Sequence, residues 1–188
     1  MPLRTLPISD MHQRHPGLTQ ALAAAYVEAA SVCLDRHHTP PAEFAVLKGK
    51  ASLEMAEVYW PPANARARLA WANESDATRD GAYACALAAV EMVFTMVAVR
   101  RAETLTGADY YIGDPDRSFV DLETCFRLEV SGIDRGGNAT IARRLRSKVS
   151  QASKGKSNLP AIACVVGFQA AKIAIELVER LNGLESES

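Results

Sequence analysis

The chain has 188 residues, of which 48% are apolar and 23% charged, with a formal net charge of −1; this is ordinary globular composition and excludes the disordered and fibrous classes. Its length suits a single domain with a full core, and its near-neutral charge excludes a general attraction to polyanions. Charge is unevenly spread, however: Arg135, Arg143, Arg144, Arg146, Lys148, Lys154, Lys156 and Lys172 share one segment with no acid among them, a local basic patch.

In chain order, "MPLRTLPISDMHQRHPG" contains no apolar run long enough for a signal peptide, so we expect a cytoplasmic protein whose residues 1–16 are flexible. Leu18 to Leu34 predicts an alanine-rich amphipathic helix closed by the prolines of "DRHHTPP". Adjacent side chains diverge in any regular structure, so His37 and His38 fit a surface loop better than a ligand pair. "AEFAVLKGKASLEMAEVYW" predicts a hairpin of two strands turning at Lys48-Gly49-Lys50 and stopped by Pro61 and Pro62.

Asn64 to Asn73 predicts a short helix, after which Ser75, Asp76 or Asp80 caps a long apolar helix running to about Glu103. Its stretch from Gly81 to Val99 approaches the about 20 residues that span a bilayer. Its alanine content and central Glu91 predict instead a core helix buried nearly all round, with Glu91 in an ion pair or hydrogen bond.

A strand from Ala108 to Ile112, the polar loop "GDPDRS" and an alternating strand from Cys125 to Ser131 come next. The turn "GIDRGGN" leads into a helix from about Ala139 to Lys154 with the apolar stripe Ile141, Leu145, Val149 and Ala152. "PAIACVVGF" is a strand apolar on both faces, which makes the preceding helix a crossover between parallel strands. Ala170 to Leu181 predicts a last helix and 183–188 a frayed tail. Cys33, Cys85, Cys125 and Cys164 are widely spaced among apolar neighbours, as buried reduced thiols are.

The chemistry concentrates in "GADYYIG" and "CFRLEVSGID". Phe126, Leu128 and Val130 take one strand face, Arg127, Glu129 and Ser131 the other. Asp109 and Glu129, on neighbouring strands, can project together and bind a hard divalent cation through oxygen. With a helix ending in Glu103 before them and a basic helix and buried strand after, this arrangement resembles the core of the PD-(D/E)XK nuclease superfamily over Gly81 to Leu181. The resemblance implies an α/β fold: a mixed β-sheet flanked by helices, a restriction-endonuclease-like core here preceded by an N-terminal helix and β-hairpin. It also implies magnesium-dependent hydrolysis of phosphodiesters, with Asp109 and Glu129 as metal ligands, Glu103 matching the acid that some members carry on the preceding helix, and DNA as partner.

The departure is Ser131, where the family motif carries a lysine that holds the attacking water. Some members draw that lysine from the following helix, and Lys148, with Arg144 and Gln151 on its side, is the replacement this sequence offers. Arg143, Arg144, Arg146, Lys148, Lys154 and Lys156 form the candidate nucleic-acid face. Two other readings stay open. One is a non-catalytic binding or assembly subunit of the same fold. The other is a homo-oligomer built through the alanine-rich helices Leu18–Leu34 and Gly81–Glu103. A plain ion pair of either acid with Arg127, Arg100 or Arg101 is the structural alternative to a metal site.

Overall fold

A computed structural model describes residues 3–49, 52–103, 108–116, 122–154 and 157–178. Its centre is one mixed sheet of eight strands: β1 (Arg4–Leu6), β2 (Ala42–Lys48), β3 (Ser52–Val58), β4 (Val97–Arg101), β5 (Tyr110–Gly113), β6 (Phe126–Ile133), β7 (Ala161–Gly167) and β8 (Lys172–Val178). They lie in the order β1-β3-β2-β8-β7-β6-β5-β4. Among the described residues four α-helices and a short 3-10 turn (Met11–Gln13) complete the fold: α1 (Gln20–Asp35), α2 (Ala65–Ala70), α3 (Glu74–Phe94) and α4 (Asn138–Ser153). The α/β class and the mixed sheet flanked by helices agree with expectation, as do α1, the β2–β3 hairpin and the β6–α4–β7 crossover, whose strands pair in parallel.

Side-chain alternation divides the sheet's faces. Phe44, Val46, Leu128, Val130, Ile162, Cys164, Ile173 and Ile175 join the main core with α1 and α3, while Ile133, Val165 and Ala174 pack against Ile141 of α4. The alanine-rich helices are each other's partners. A Cβ on Gly81 would stand 2.9 Å from the Ala30 Cα, and one on Gly132 would stand 2.3 Å from the Thr78 carbonyl. Small residues therefore allow α1, α3 and β6 to approach closely, and α3 spends its apolar surface inside the chain. Among the described residues no helix is long and apolar enough to cross a membrane. The four cysteines are buried and free, and burial pushes the Cys33 and Cys85 thiols up to about 12, leaving them inert.

Four expectations need correction. The long helix stops at Phe94, not near Glu103, because Thr95 turns left-handed (φ 57°) and the β-branched Val97 and Val99 then form β4. Its N-cap is Asn73, whose side chain accepts from the Ser75 and Asp76 N–H groups, and not Ser75, Asp76 or Asp80. The expected last helix over Ala170–Leu181 is strand β8, in which Ile173 and Ile175 share a face at period two and pair with β7 and β2. Residues 4–15, expected in a flexible leader, contribute β1 alongside β3 and the buried Leu6, Ile8, Met11 and His15. The tail 183–188 lies outside the described residues.

The Glu91 carboxylate ties this N-terminal segment to the fold. Arg14 Nε donates to its Oε1 at 2.7 Å and His15 Nε2 lies 3.0 Å from its Oε2. The Ala98 N–H donates to His15 Nδ1 at 2.9 Å, so Nε2 carries the ring proton and donates to the carboxylate. Burial alone would raise the Glu91 carboxyl, but the hydrogen bonds from His15 and Arg14 outweigh it and hold the group below its ordinary value. A depressed acid stabilises the fold above its unfolded-state pKa, and that stability is lost as pH falls through the lowered folded-state value. Glu91→Ala is expected to cost about 2 kcal/mol at pH 7 and markedly less near pH 3, read from urea unfolding at the two pH values. An equal loss at both would show that the charge is not what holds the segment.

Candidate functional site

β5 ends one residue short of where β6 needs it. The Asp109 N–H donates to the Leu128 carbonyl at 2.8 Å, continuing the ladder by one bond. The next β6 donor on that edge, the Val130 N–H, is taken by Asp109 Oδ2 at 2.7 Å. The Asp109 side chain thus finishes what the backbone begins, and its carboxylate is fixed where the two strands part. Its other oxygen, Oδ1, accepts from the Tyr83 hydroxyl at 2.8 Å. Burial and the Asp109 charge push the Tyr83 phenol up, so it stays protonated and keeps donating. Tyr83 packs against Tyr26 and Tyr110, and the Arg101 guanidinium lies over the Tyr83 and Tyr110 rings.

On the opposite sheet face α4 supplies a second set of contacts. Lys148 Nζ donates to Glu129 Oε2 at 2.9 Å and to Gln151 Oε1 at 3.3 Å. Arg144 Nη1 donates to Ser131 Oγ at 3.1 Å. At one end Arg127 Nη2 donates to the Ala152 carbonyl at 3.1 Å. Burial pushes the Glu129 carboxyl up; Lys148 opposes the rise and the nearby Asp109 charge adds to it. The two acids therefore feel each other across the strand boundary.

Of the residues singled out from the sequence, Glu129 and Lys148 are in contact, Asp109 on the neighbouring strand is near enough for its charge to act on Glu129 but bonds to Tyr83 and Val130 instead, and Glu103 lies apart from all three. It follows β4, two strands from β6, where it accepts hydrogen bonds from Arg100 and from Tyr111 at 3.4 Å. It is not on the preceding helix, because that helix ends at Phe94. Arg143 and Arg146 are exposed on the solvent side of α4, Lys154 caps its C-terminal end, and Lys156 lies outside the described residues. Tyr83 was not legible as a site residue. A tyrosine in an apolar helix gives no sign of reaching an acid 26 positions away in sequence.

The β6 edge beyond Val130 opens into a cleft of about 570 Å³ between the N-terminal halves of α3 and α4. Tyr83, Ser131, Arg79, Arg135 and Arg144 line it. Asp109 and Glu129 do not, but Tyr83 and Val130, the residues that hold Asp109, do.

The oxygen donors are of the type that a hard cation such as magnesium takes. Two mutually repelling carboxylates supply hard oxygen ligands; Asp109 has lone pairs beyond those engaged by Tyr83 and Val130, and Glu129 Oε1 has no protein hydrogen bond among the described residues. No cluster of three histidine, cysteine or acidic side chains occurs among those residues. Such an ion would take its other ligands from water and substrate, as magnesium commonly does.

The Lys148–Glu129 pair is measurable apart from any activity. Lys148→Met leaves an almost fully buried carboxylate without its cation and is expected to cost roughly 1–3 kcal/mol. Adding Glu129→Gln should restore much of that loss, so a double-mutant cycle in urea gives a clear coupling energy. Additive losses would remove the pair from the site.

Comparison of the chain with models of known protein families, with curated proteins and with solved structures found no match.

Proposed function

We propose that this chain acts on nucleic acid through a divergent PD-(D/E)XK-like core, with Asp109 and Glu129 as ligands of a magnesium ion and Lys148 as the relocated lysine. The observation that carries the reading is the meeting of Glu129 and Lys148 at 2.9 Å beside an acid fixed on the neighbouring strand. The order α3-β4-β5-β6-α4-β7, with an antiparallel β4–β5–β6 meander and a parallel β6–β7 crossover, supports it. It is the element order that the family resemblance implies.

Each residue has a physical task in this reading. Tyr83 and the Val130 N–H fix the rotamer of Asp109, so the ligand is positioned before any cation arrives. Lys148 opposes the rise that burial imposes on the Glu129 carboxyl and can hold a water or phosphate oxygen beside it. When bound, the ion supplies Lewis acidity and lowers the pKa of a coordinated water. The basic face of α4 supplies attraction to the phosphate backbone.

A second reading is favoured by one specific observation: both acids already have protein partners and neither lines the cleft. In it the same fold binds nucleic acid or a protein without cutting. Incubating DNA and RNA substrates with the protein and Mg²⁺ or Mn²⁺ separates the two. The catalytic reading expects cleavage that EDTA stops, that Asp109→Asn or Glu129→Gln abolishes, and that Lys148→Ala lowers by about 10²-fold or more. Metal affinity should also fall with pH through the raised Glu129 value, since the proton and the ion compete for one carboxylate. Absence of cleavage together with absence of metal binding by calorimetry overturns the catalytic reading. Salt-sensitive binding that survives loss of both acids establishes the second.

A further inference from the structure

We infer that Arg144, held over β6 by the Ser131 hydroxyl, is the cleft's phosphate-binding residue, gripping the backbone of a nucleic-acid strand next to the Glu129–Lys148 pair. This rests on the nucleic-acid reading above, and makes Ser131 a positioning residue instead of the remnant of a lost lysine.

The arginines of the cleft are not equivalent. Arg79 bonds Asp80 at 2.8 Å and Asp76 at 3.2 Å. Arg135 lies 3.5 Å from Glu74 and 3.7 Å from Asp134. Both charges are matched by neighbouring acids. Among the described residues Arg144 is bonded to Ser131 Oγ alone, a neutral group. A guanidinium has five N–H donors in a rigid fork, so one bond to a hydroxyl orients the fork and leaves its charge and other donors for an anion. Arg143 and Arg146, one and two positions away on the same helix, are exposed, have no side-chain hydrogen bond or ion pair among the described residues and do not line the cleft. They have the same charge without the placement.

Placement relative to the acids follows from the backbone. Ser131 is two strand residues beyond Glu129, about 6.6 Å along β6, and Arg144 is one helical turn before Lys148, about 6 Å along α4. A phosphate on Arg144 would therefore lie one side-chain step from the Glu129–Lys148 pair. Planar, bidentate contact with two phosphate oxygens is the geometry at which arginine exceeds lysine.

The test is fluorescence anisotropy of a short labelled DNA strand, and of its duplex, over a salt series in EDTA, so that binding is read without cleavage. Arg144→Ala should weaken binding by about tenfold and reduce the slope of log affinity against log salt by about 1. Arg143→Ala and Arg146→Ala should change each much less. Ser131→Ala should weaken binding while leaving the salt slope near that of the natural protein, because the charge is retained and only its orientation is lost. Arg144→Lys should likewise keep the slope but not the affinity. Arg144→Ala behaving like Arg143→Ala, or Ser131→Ala binding as the natural protein does, overturns the inference while nucleic-acid binding stands. A natural protein that binds neither strand nor duplex at low salt removes both readings together. The side chains involved are exposed or part-exposed, and circular dichroism of each variant confirms that a loss of binding is not a loss of fold.

Discussion

The register of α4 on β6 is the constraint on which the site depends. Two residues advance about 6.6 Å along a strand and four about 6 Å along a helix, so a helix running back over a strand can meet every second strand residue with one residue per turn. Here Arg127, Glu129, Ser131 and Ile133 meet Ala152, Lys148, Arg144 and Ile141 in turn. The two ends are structural: Arg127 donates to a carbonyl of the last helical turn, and Ile141 packs with Ile133, Val165 and Ala174. The two middle rungs are polar. Because core packing and a buried hydrogen bond fix the ends, the middle pairs are placed without having to drive the docking themselves.

The other face of β6 is organised by a different rule. Leu128 and Val130 lie in the main core, and Gly132 lets α3 come close enough that no side chain fits between. Rigid packing there fixes the β6 backbone, and the Val130 N–H with it. Asp109 is consequently held by groups from three elements: its own place at the end of β5, the backbone of β6, and Tyr83 of α3. Its neighbour across the sheet is exposed to the same logic, since Glu129 is buried and depends on Lys148 for its charged form. Carboxylates placed by such different parts of the fold, yet near enough to repel one another, cost stability unless something cationic is gained.

Much of this was legible in the sequence where a period was clean. The alternation of Phe126 to Ser131 placed Glu129 opposite the core, and the α4 stripe of Ile141, Leu145 and Val149 put Arg144, Lys148 and Gln151 on one side. The fold was misread where two periods coincide. Met96 to Val99 continues the apolar run of α3 without a proline or glycine, and only the left-handed Thr95 separates helix from strand. In β8, Ile173, Ile175 and Leu177 alternate, but the surrounding alanine, lysine and glutamate are helix formers, and pairing with β7 and β2 overrides that preference. The bond of Tyr83 to Asp109 had no local signal at all, because it exists only once α3 lies across the sheet.

Ser131 is explained by the same register. A lysine there would project from the same face as Glu129, into the space where the Arg144 guanidinium donates to the serine hydroxyl. It would place three cations on two successive rungs against one carboxylate, with like charges in contact. A strand lysine and a strand-facing Arg144 are therefore alternatives and cannot be combined. Lys148 already brings an ammonium to Glu129 from the helix, so the strand position is free to take a small hydroxyl residue that accepts a hydrogen bond. Two cationic side chains a single helical turn apart thus face successive outward positions of β6, and Ser131 is the residue that makes room for the second.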